Sequence, residues 1–170
     1  MQAPQRRDAI LKKLQQTKQP VSAGALAAQF SVSRQVIVGD IALLRASGAD
    51  ISATPRGYII RRNPVGCIRQ VACCHDGTGM EDELNLMVDH GCTVLDVIVE
   101  HPIYGQLTGA LQLSSRYDVQ QFILRSKSAE AKPLSALTEG IHLHTLSCPD
   151  EAAFERVRAG LLEKHILLED

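Results

Sequence analysis

The chain reads as an α+β protein in two parts, an N-terminal winged helix-turn-helix domain followed by a two-layer α/β domain with an antiparallel sheet. Three observations predict this. First, the charge divides: residues 1–66 hold ten Lys or Arg against three Asp or Glu, a balance of +7, and residues 67–170 hold eight against sixteen, a balance of −8. Second, the apolar residues of the first part recur at helical spacing in three short runs, closed by a hairpin pattern. Third, those of the second part switch between strand and helix periods in the order β-α-β-β-α-β-α. A chain of 170 residues is long enough for two small domains with a core each. The expected domains are 1–63 and 67–170, joined by the turn and breaker residues Arg61-Arg62-Asn63-Pro64-Val65-Gly66.

In the first domain, Arg6 to Gln16 places Ile10, Leu11 and Leu14 on one helical face and Arg6, Arg7, Lys12 and Lys13 on the others. Ser22 has the chemistry of an N-cap for a second, short helix with Leu26, Ala27 and Phe30 inward. Ser31-Val32 makes a tight turn, and Ser33 caps a third helix in which Val36, Ile37, Ile41 and Leu44 recur before Gly48 stops the run. Two helices joined by such a turn, with a third to cover them, form a helix-turn-helix whose last member enters the DNA major groove. The first turn of that helix carries Ser33, Arg34 and Gln35. Arginine pairs with guanine O6 and N7 and glutamine with adenine N6 and N7, so Arg34 and Gln35 are candidate base readers. Asp50 to Thr54 and Gly57 to Ile60 predict a hairpin, or wing, around Pro55-Arg56, with Arg56 at the tip to meet phosphate or the minor groove.

In the second domain, Cys67 to Cys74 is an apolar strand ending at His75. Thr78 and Glu81 carry a capping-box signature for a helix with Leu84, Met87 and Val88 inward and Glu83 off that stripe. Val94 to Glu100 and Gln106 to Leu113 predict two more strands. Val119, Phe122 and Ile123 mark a second helix, and Ser126 to Ala131 a surface loop. The stretch Ile141-His142-Leu143-His144 alternates with period two, so it is a strand that sends Ile141 and Leu143 to the core and both histidines to the opposite face. Asp150 caps a last helix built on Phe154, Val157 and Leu161.

His142 and His144 side by side supply half of a metal site, and His75 with Glu83 supplies a third imidazole and a carboxylate. Three nitrogens and one oxygen suit nickel, zinc or iron better than calcium or magnesium. On its own the histidine pair reads more readily as two side chains on a solvated sheet face than as metal ligands. Cys73 and Cys74 precede His75, yet a buried free thiol is the common role of a strand cysteine. Five cysteines without CxxC spacing, no apolar leader and no run long enough to span a bilayer predict reduced thiols, a cytoplasmic protein and no membrane partner.

The residues Ser33-Arg34-Gln35-Val36-Ile37-Val38, Asp40-Ile41-Ala42-Leu43-Leu44-Arg45 and Ala53-Thr54-Pro55-Arg56-Gly57-Tyr58 resemble the nicotinate-responsive transcriptional repressors of NAD biosynthesis and niacin uptake. The likeness continues through His75, Glu83, His101-Pro102-Ile103-Tyr104-Gly105, Pro133 to Thr138 and Gly140 to Thr145, which match that family's three-histidine domain. The resemblance implies a phosphocarrier-like order of elements in the second domain, which periodicity alone does not separate from a ferredoxin-like sandwich. It places His101 and Tyr104 in the effector domain, where the turn after the strand can hold an imidazole and a phenol over a ligand. One departure is Gly39, which stands where a polar, helix-favouring residue is expected; glycine inside a helix costs about 1 kcal/mol relative to alanine.

Together these features predict a homodimeric repressor on double-stranded operator DNA. Its second domain is expected to bind a transition metal through His75, Glu83, His142 and His144, with nicotinate as effector. The rival readings are a small metal-dependent hydrolase and a metalloregulator in which the metal itself is the signal. No further carboxylate or nucleophile is spaced to serve the metal set as a general base, which disfavours the hydrolase.

Overall fold

A computed structural model describes residues 2–60, 66–129 and 131–169. The chain forms two compact units, Met1–Asn63 and Pro64–Asp170. The expected linker residues Arg61 to Val65, including the two arginines that follow the wing, lie outside the described residues.

In the first unit, helices α1 (Ala3–Gln16), α2 (Ala23–Phe30) and α3 (Arg34–Ala46) precede the two-stranded hairpin β1 (Ile51–Thr54) and β2 (Gly57–Ile60). The expected caps are made: Ser22 Oγ accepts from Ala25 N–H at 3.0 Å and Ser33 Oγ from Val36 N–H at 3.3 Å. Between the two helices Ser31 takes the left-handed conformation, φ 53°, which turns the chain sharply enough for α3 to cross α2. Ile10, Leu14, Leu26, Ile37, Ile41, Leu44 and Ile51 form the core. Val36, expected inward, is exposed, because in a helix entered at Arg34 the buried stripe runs through Ile37, Asp40, Ile41 and Leu44. Asp40 is a buried charge on that stripe. Arg6 Nε reaches its carboxylate at 2.6 Å and Arg7 at 3.6 Å, so the first turns of the basic helix α1 are clamped onto the middle of α3.

The second unit contains β3 (Cys67–Cys74), α4 (Met80–Asp89), β4 (Thr93–His101), β5 (Gly105–Leu113), α5 (Arg116–Ser128), a short 3-10 helix (Leu134–Thr138), β6 (Ile141–Cys148) and α6 (Glu151–Glu163). The four strands form one antiparallel sheet in the order β3-β6-β4-β5. The last strand is thus inserted between the first and second. Helices cover one face, where Val71, Leu84, Met87, Val94, Val119, Leu146, Val157 and Leu161 make the core. The C-terminal segment runs beside β3: Cys74 N–H donates to Ile166 O at 2.8 Å and Leu168 N–H to Ala72 O at 3.0 Å, which closes that sheet edge.

Three local expectations are corrected. The N-cap of α4 is Gly79, and no side chain caps it; Thr78 is engaged by Asp76, whose Oδ1 accepts from Thr78 N–H at 2.9 Å. Ser126 to Ser128 continue α5 where a loop was expected, because Ser115, accepting from Asp118 N–H, sets the helix start and nothing breaks it before Ala129. The faces of β6 are the reverse of those read from its alternation. His142 and His144 lie on the helix-covered face with Leu146 and Cys148, while Ile141 is 47% exposed.

Candidate functional site

The site is built on a carboxylate that the fold buries. Glu83 lies in the first turn of α4, only 1% exposed, on the same inward face as Leu84 and Met87 rather than off it as the periodicity suggested. It points down onto β6. There His142 and His144, each 3% exposed, stand two residues apart on the covered face. His75 arrives from the end of β3, and two glycines admit it. A Cβ at Gly140 (φ +94°) would lie 2.2 Å from the His75 carbonyl oxygen, and one at Gly79 would lie 2.9 Å from the imidazole ring.

All three imidazoles turn Nε2 toward Glu83. His75 Nε2 is 2.7 Å from Oε2, His142 Nε2 is 3.0 Å from Oε1, and His144 Nε2 is 3.4 Å from Oε2. The rings stack edge-on along the row, His75 to His142 and His142 to His144, with centroids 4.9 Å apart in each pair. Each Nδ1 has a backbone carbonyl as its partner: Asp76 O for His75, Gly140 O at 2.8 Å for His142, and Asp96 O at 2.7 Å for His144. A carbonyl oxygen only accepts, so each Nδ1 carries the proton. In the neutral tautomer Nε2 is then a lone pair, facing a carboxylate that also only accepts. Lone pair against lone pair is repulsive, so the arrangement calls for positive charge in the middle, either protons on the imidazoles or a metal cation.

The ionisation behaviour agrees. The hydrogen bond to Glu83 raises His75 above the ordinary histidine value. Burial opposes protonation of His144, but the charge and hydrogen bond of Glu83 outweigh it, so His144 is raised too. Burial works equally against the charge of Glu83; the three histidines overcome it and hold the carboxyl well below its ordinary range. Four donors converge, each imidazole is oriented by a second partner, and the set is mixed nitrogen and oxygen. These residues fit a transition metal.

The other expected site residues lie elsewhere. His101 ends β4 and Tyr104 sits in the β4–β5 hairpin turn, 73% exposed, with ring centroids 4.9 Å apart. His101 Nδ1 accepts from the backbone N–H of Ile103 and Tyr104 at 3.1 and 3.3 Å, so this imidazole is committed to shaping its own turn. Among the described contacts, none joins the pair to the Glu83 cluster. A cavity of about 370 Å³ instead opens beside the loop after His75 and the first turn of α4, lined by Thr78, Met80, Glu81, Ile123, Lys127 and Pro133 among others.

In the first unit, Ser33, Arg34 and Gln35 are exposed at the start of α3, continuous with exposed Val38 and Gly39. A Cβ at Gly39 would meet nothing within 4 Å, so no neighbour in this chain requires glycine there. Arg56 is half-buried at the hairpin turn, its Nη1–H donating to Gln19 Oε1 at 3.4 Å, rather than standing free at a wing tip.

Cys73, expected from the sequence to be only a buried structural thiol, is a neighbour of the cluster. Cys73, fully buried, has its sulfur within 4.8 Å of donor atoms of both Glu83 and His142. The signal was available: Cys73 and His75 share an alternation, and Cys73 faces His142 across the β3–β6 ladder.

A helix-turn-helix unit followed by an α/β unit with a buried three-histidine cluster makes a two-domain protein whose first part has the form of a DNA-binding module. The comparisons with known proteins name the family. Residues 6–59 match an HTH domain and residues 68–170 the 3H domain. The probable transcription repressor NiaR of Thermotoga maritima is 43% identical over 166 residues, covering 98% of this chain and 95% of the relative. The transcription repressor NadR of Bacillus subtilis is 44% identical over 169 residues, covering 97% and 94%. The chain belongs to this family of transcription repressors, and it has the helix-turn-helix, hairpin and antiparallel α/β architecture expected from the sequence.

Proposed function

We propose that this chain is a transcription repressor that binds double-stranded operator DNA as a homodimer. It holds a transition metal ion (nickel, zinc or iron) at His75, Glu83, His142 and His144, and it responds to nicotinate, so that genes of NAD biosynthesis or niacin transport are its targets. The observation that carries the metal reading is the shared orientation of the imidazoles: every Nδ1–H is spent on a carbonyl, so every Nε2 lone pair converges on one buried carboxylate. A bound cation satisfies all four donors at once.

Nicotinate is supported by its chemistry toward such a centre. It offers a pyridine nitrogen and a carboxylate, both donors that an incomplete coordination shell accepts. A cavity of about 370 Å³ lies within the range of small-molecule sites, and Lys127 in its wall is a cation for the carboxylate. His101 and Tyr104, at an exposed hairpin turn, are the second place for effector contact. The effector acts on DNA affinity only through unequal affinity for two arrangements of the dimer.

The test is operator binding by metal-loaded and chelator-stripped protein, each with and without nicotinate. The proposal expects nicotinate to change operator affinity in the loaded protein alone. A full response to metal without nicotinate would make the metal the signal, and nicotinate acting equally on stripped protein would detach the effector from the cluster.

A further inference from the structure

Among the described residues, Cys73 is the cysteine that the fold brings to the cluster. In β3 the covered face carries Val71 and Cys73, and the antiparallel register sets Cys73 directly opposite His142 and Val71 opposite His144. Directly opposed residues of such a pair project from the same face side by side. The thiol and the imidazole therefore share one strip of sheet beneath Glu83. The neighbouring Cys74 is turned the other way and is half-buried, so alternation distinguishes the two adjacent thiols.

Sγ of Cys73, a carboxylate oxygen of Glu83 and a ring nitrogen of His142 lie within 4.8 Å of one another. Donors at about 2.3 Å (sulfur) and 2.1 Å (nitrogen or oxygen) from one ion are at most about 4.4 Å apart, so shifts of under about an ångström bring all three onto it. That trio omits His75 and His144, whose Nε2 atoms reach the same carboxylate at 2.7 and 3.4 Å. Glu83 and His142 belong both to this trio and to the set of imidazoles around the carboxylate.

We propose that Cys73 is a sulfur ligand of this metal centre and biases it toward the thiophilic ions zinc, nickel and cobalt over manganese and iron(II). The proposal rests on the metal reading above and adds a donor to it. Soft thiolate ligands favour these ions, whereas an imidazole and carboxylate set alone leaves the choice to geometry and availability. On loading, the sulfur–metal bond forms as the S–H bond breaks, the electron pair stays on sulfur, and the proton leaves to solvent.

Cobalt(II) titration of the full chain, its Cys73→Ser variant and its Cys74→Ser variant tests this optically. Wild type and Cys74→Ser should show visible d–d bands together with a near-ultraviolet sulfur-to-cobalt charge-transfer band. Cys73→Ser should keep d–d bands, lose the charge-transfer band, bind at least about tenfold more weakly, and release one proton fewer on loading. Cobalt bound by wild type without the charge-transfer band, or a band that survives Cys73→Ser, overturns the sulfur assignment and leaves the histidine centre standing. Failure of wild type to bind cobalt overturns the centre and the sulfur assignment together. Should Cys73→Ser not fold, X-ray absorption at the zinc edge of loaded wild type decides: a sulfur scatterer at about 2.3 Å supports the proposal, and a shell of nitrogen and oxygen alone overturns it.

Discussion

Glu83 sets the pH behaviour of the second unit. Its folded-state value is depressed below the ordinary 4.5, so its stabilising contribution is present above that value and is lost as pH falls through the lower folded one. His75 and His144 are raised above the ordinary 6.5, so their contribution is complete below 6.5 and is lost as pH rises through the raised values. The metal-free protein should therefore be most stable between these two ordinary values, in mildly acid solution. Metal requires neutral imidazoles and has the opposite preference. Thermal melts with and without zinc or nickel should thus show a large gain at pH above the histidine range and almost none near the carboxylate range. A gain that is flat with pH would contradict the assignment of the imidazoles as ligands. At this scale the sequence exposed much of the site: period-two spacing placed His142 and His144 on one face, and ligand chemistry singled out His75 and Glu83. It did not reveal which face. Two histidines in a strand look like a solvent edge until a helix carrying a buried carboxylate is laid over them, and that pairing is tertiary.

Helix α3 carries two duties on two faces. Its inward face includes Asp40, which Arg6 and Arg7 of α1 reach at 2.6 and 3.6 Å. Hydrogen bonds to charged groups contribute about 1.5–3 kcal/mol, so Asp40→Ala should destabilise the first unit by about 2 kcal/mol while leaving the metal site intact. Denaturant melts read on a probe in each unit would check this, and an unchanged first-unit midpoint would show the clamp to be inert. The outward face presents Arg34 and Gln35. Good base contacts discriminate by about 1–3 kcal/mol, so Arg34→Ala should blur operator preference, whereas Arg56→Ala should weaken specific and random DNA alike and lower the salt slope by about one. Equal weakening of all DNA by Arg34→Ala would remove α3 from the major groove. The helices and strands were largely legible because Ser22, Ser33 and Asp150 are caps and the apolar periods are clean. The first turn of α4 was not, because Thr78 has a stronger local partner in Asp76 than in the helix it precedes. The short 3-10 helix was missed because five residues give no period to read.

At the scale of the molecule, two parts differ in charge balance, +7 up to residue 66 and −8 beyond it, and the positive one carries the helix-turn-helix. A single winged helix makes few contacts, so a homodimer on a two-fold operator, with half-sites about one helical turn apart or a multiple of it, is expected. Light scattering of the free protein and its operator complex should give the mass of two chains; monomer in both states would refute this. No helix among the described residues is long and apolar enough to cross a membrane. The division into units was visible as a charge step at residue 66, whereas the insertion of β6 beside β3, which brings His142 to Cys73 and His75, is a long-range pairing that no local pattern encodes. If His75, Glu83, His142 and His144 bind metal, they should do so as one unit, so losing one nitrogen ligand should remove most of the metal. The most direct test is the metal content of wild type and His144→Ala after chelator stripping, reloading with nickel or zinc at neutral pH, and desalting. The predicted result is one ion per wild-type chain and nearly none in the variant, with operator binding retained by both. Full metal in His144→Ala, or none in wild type, would contradict it.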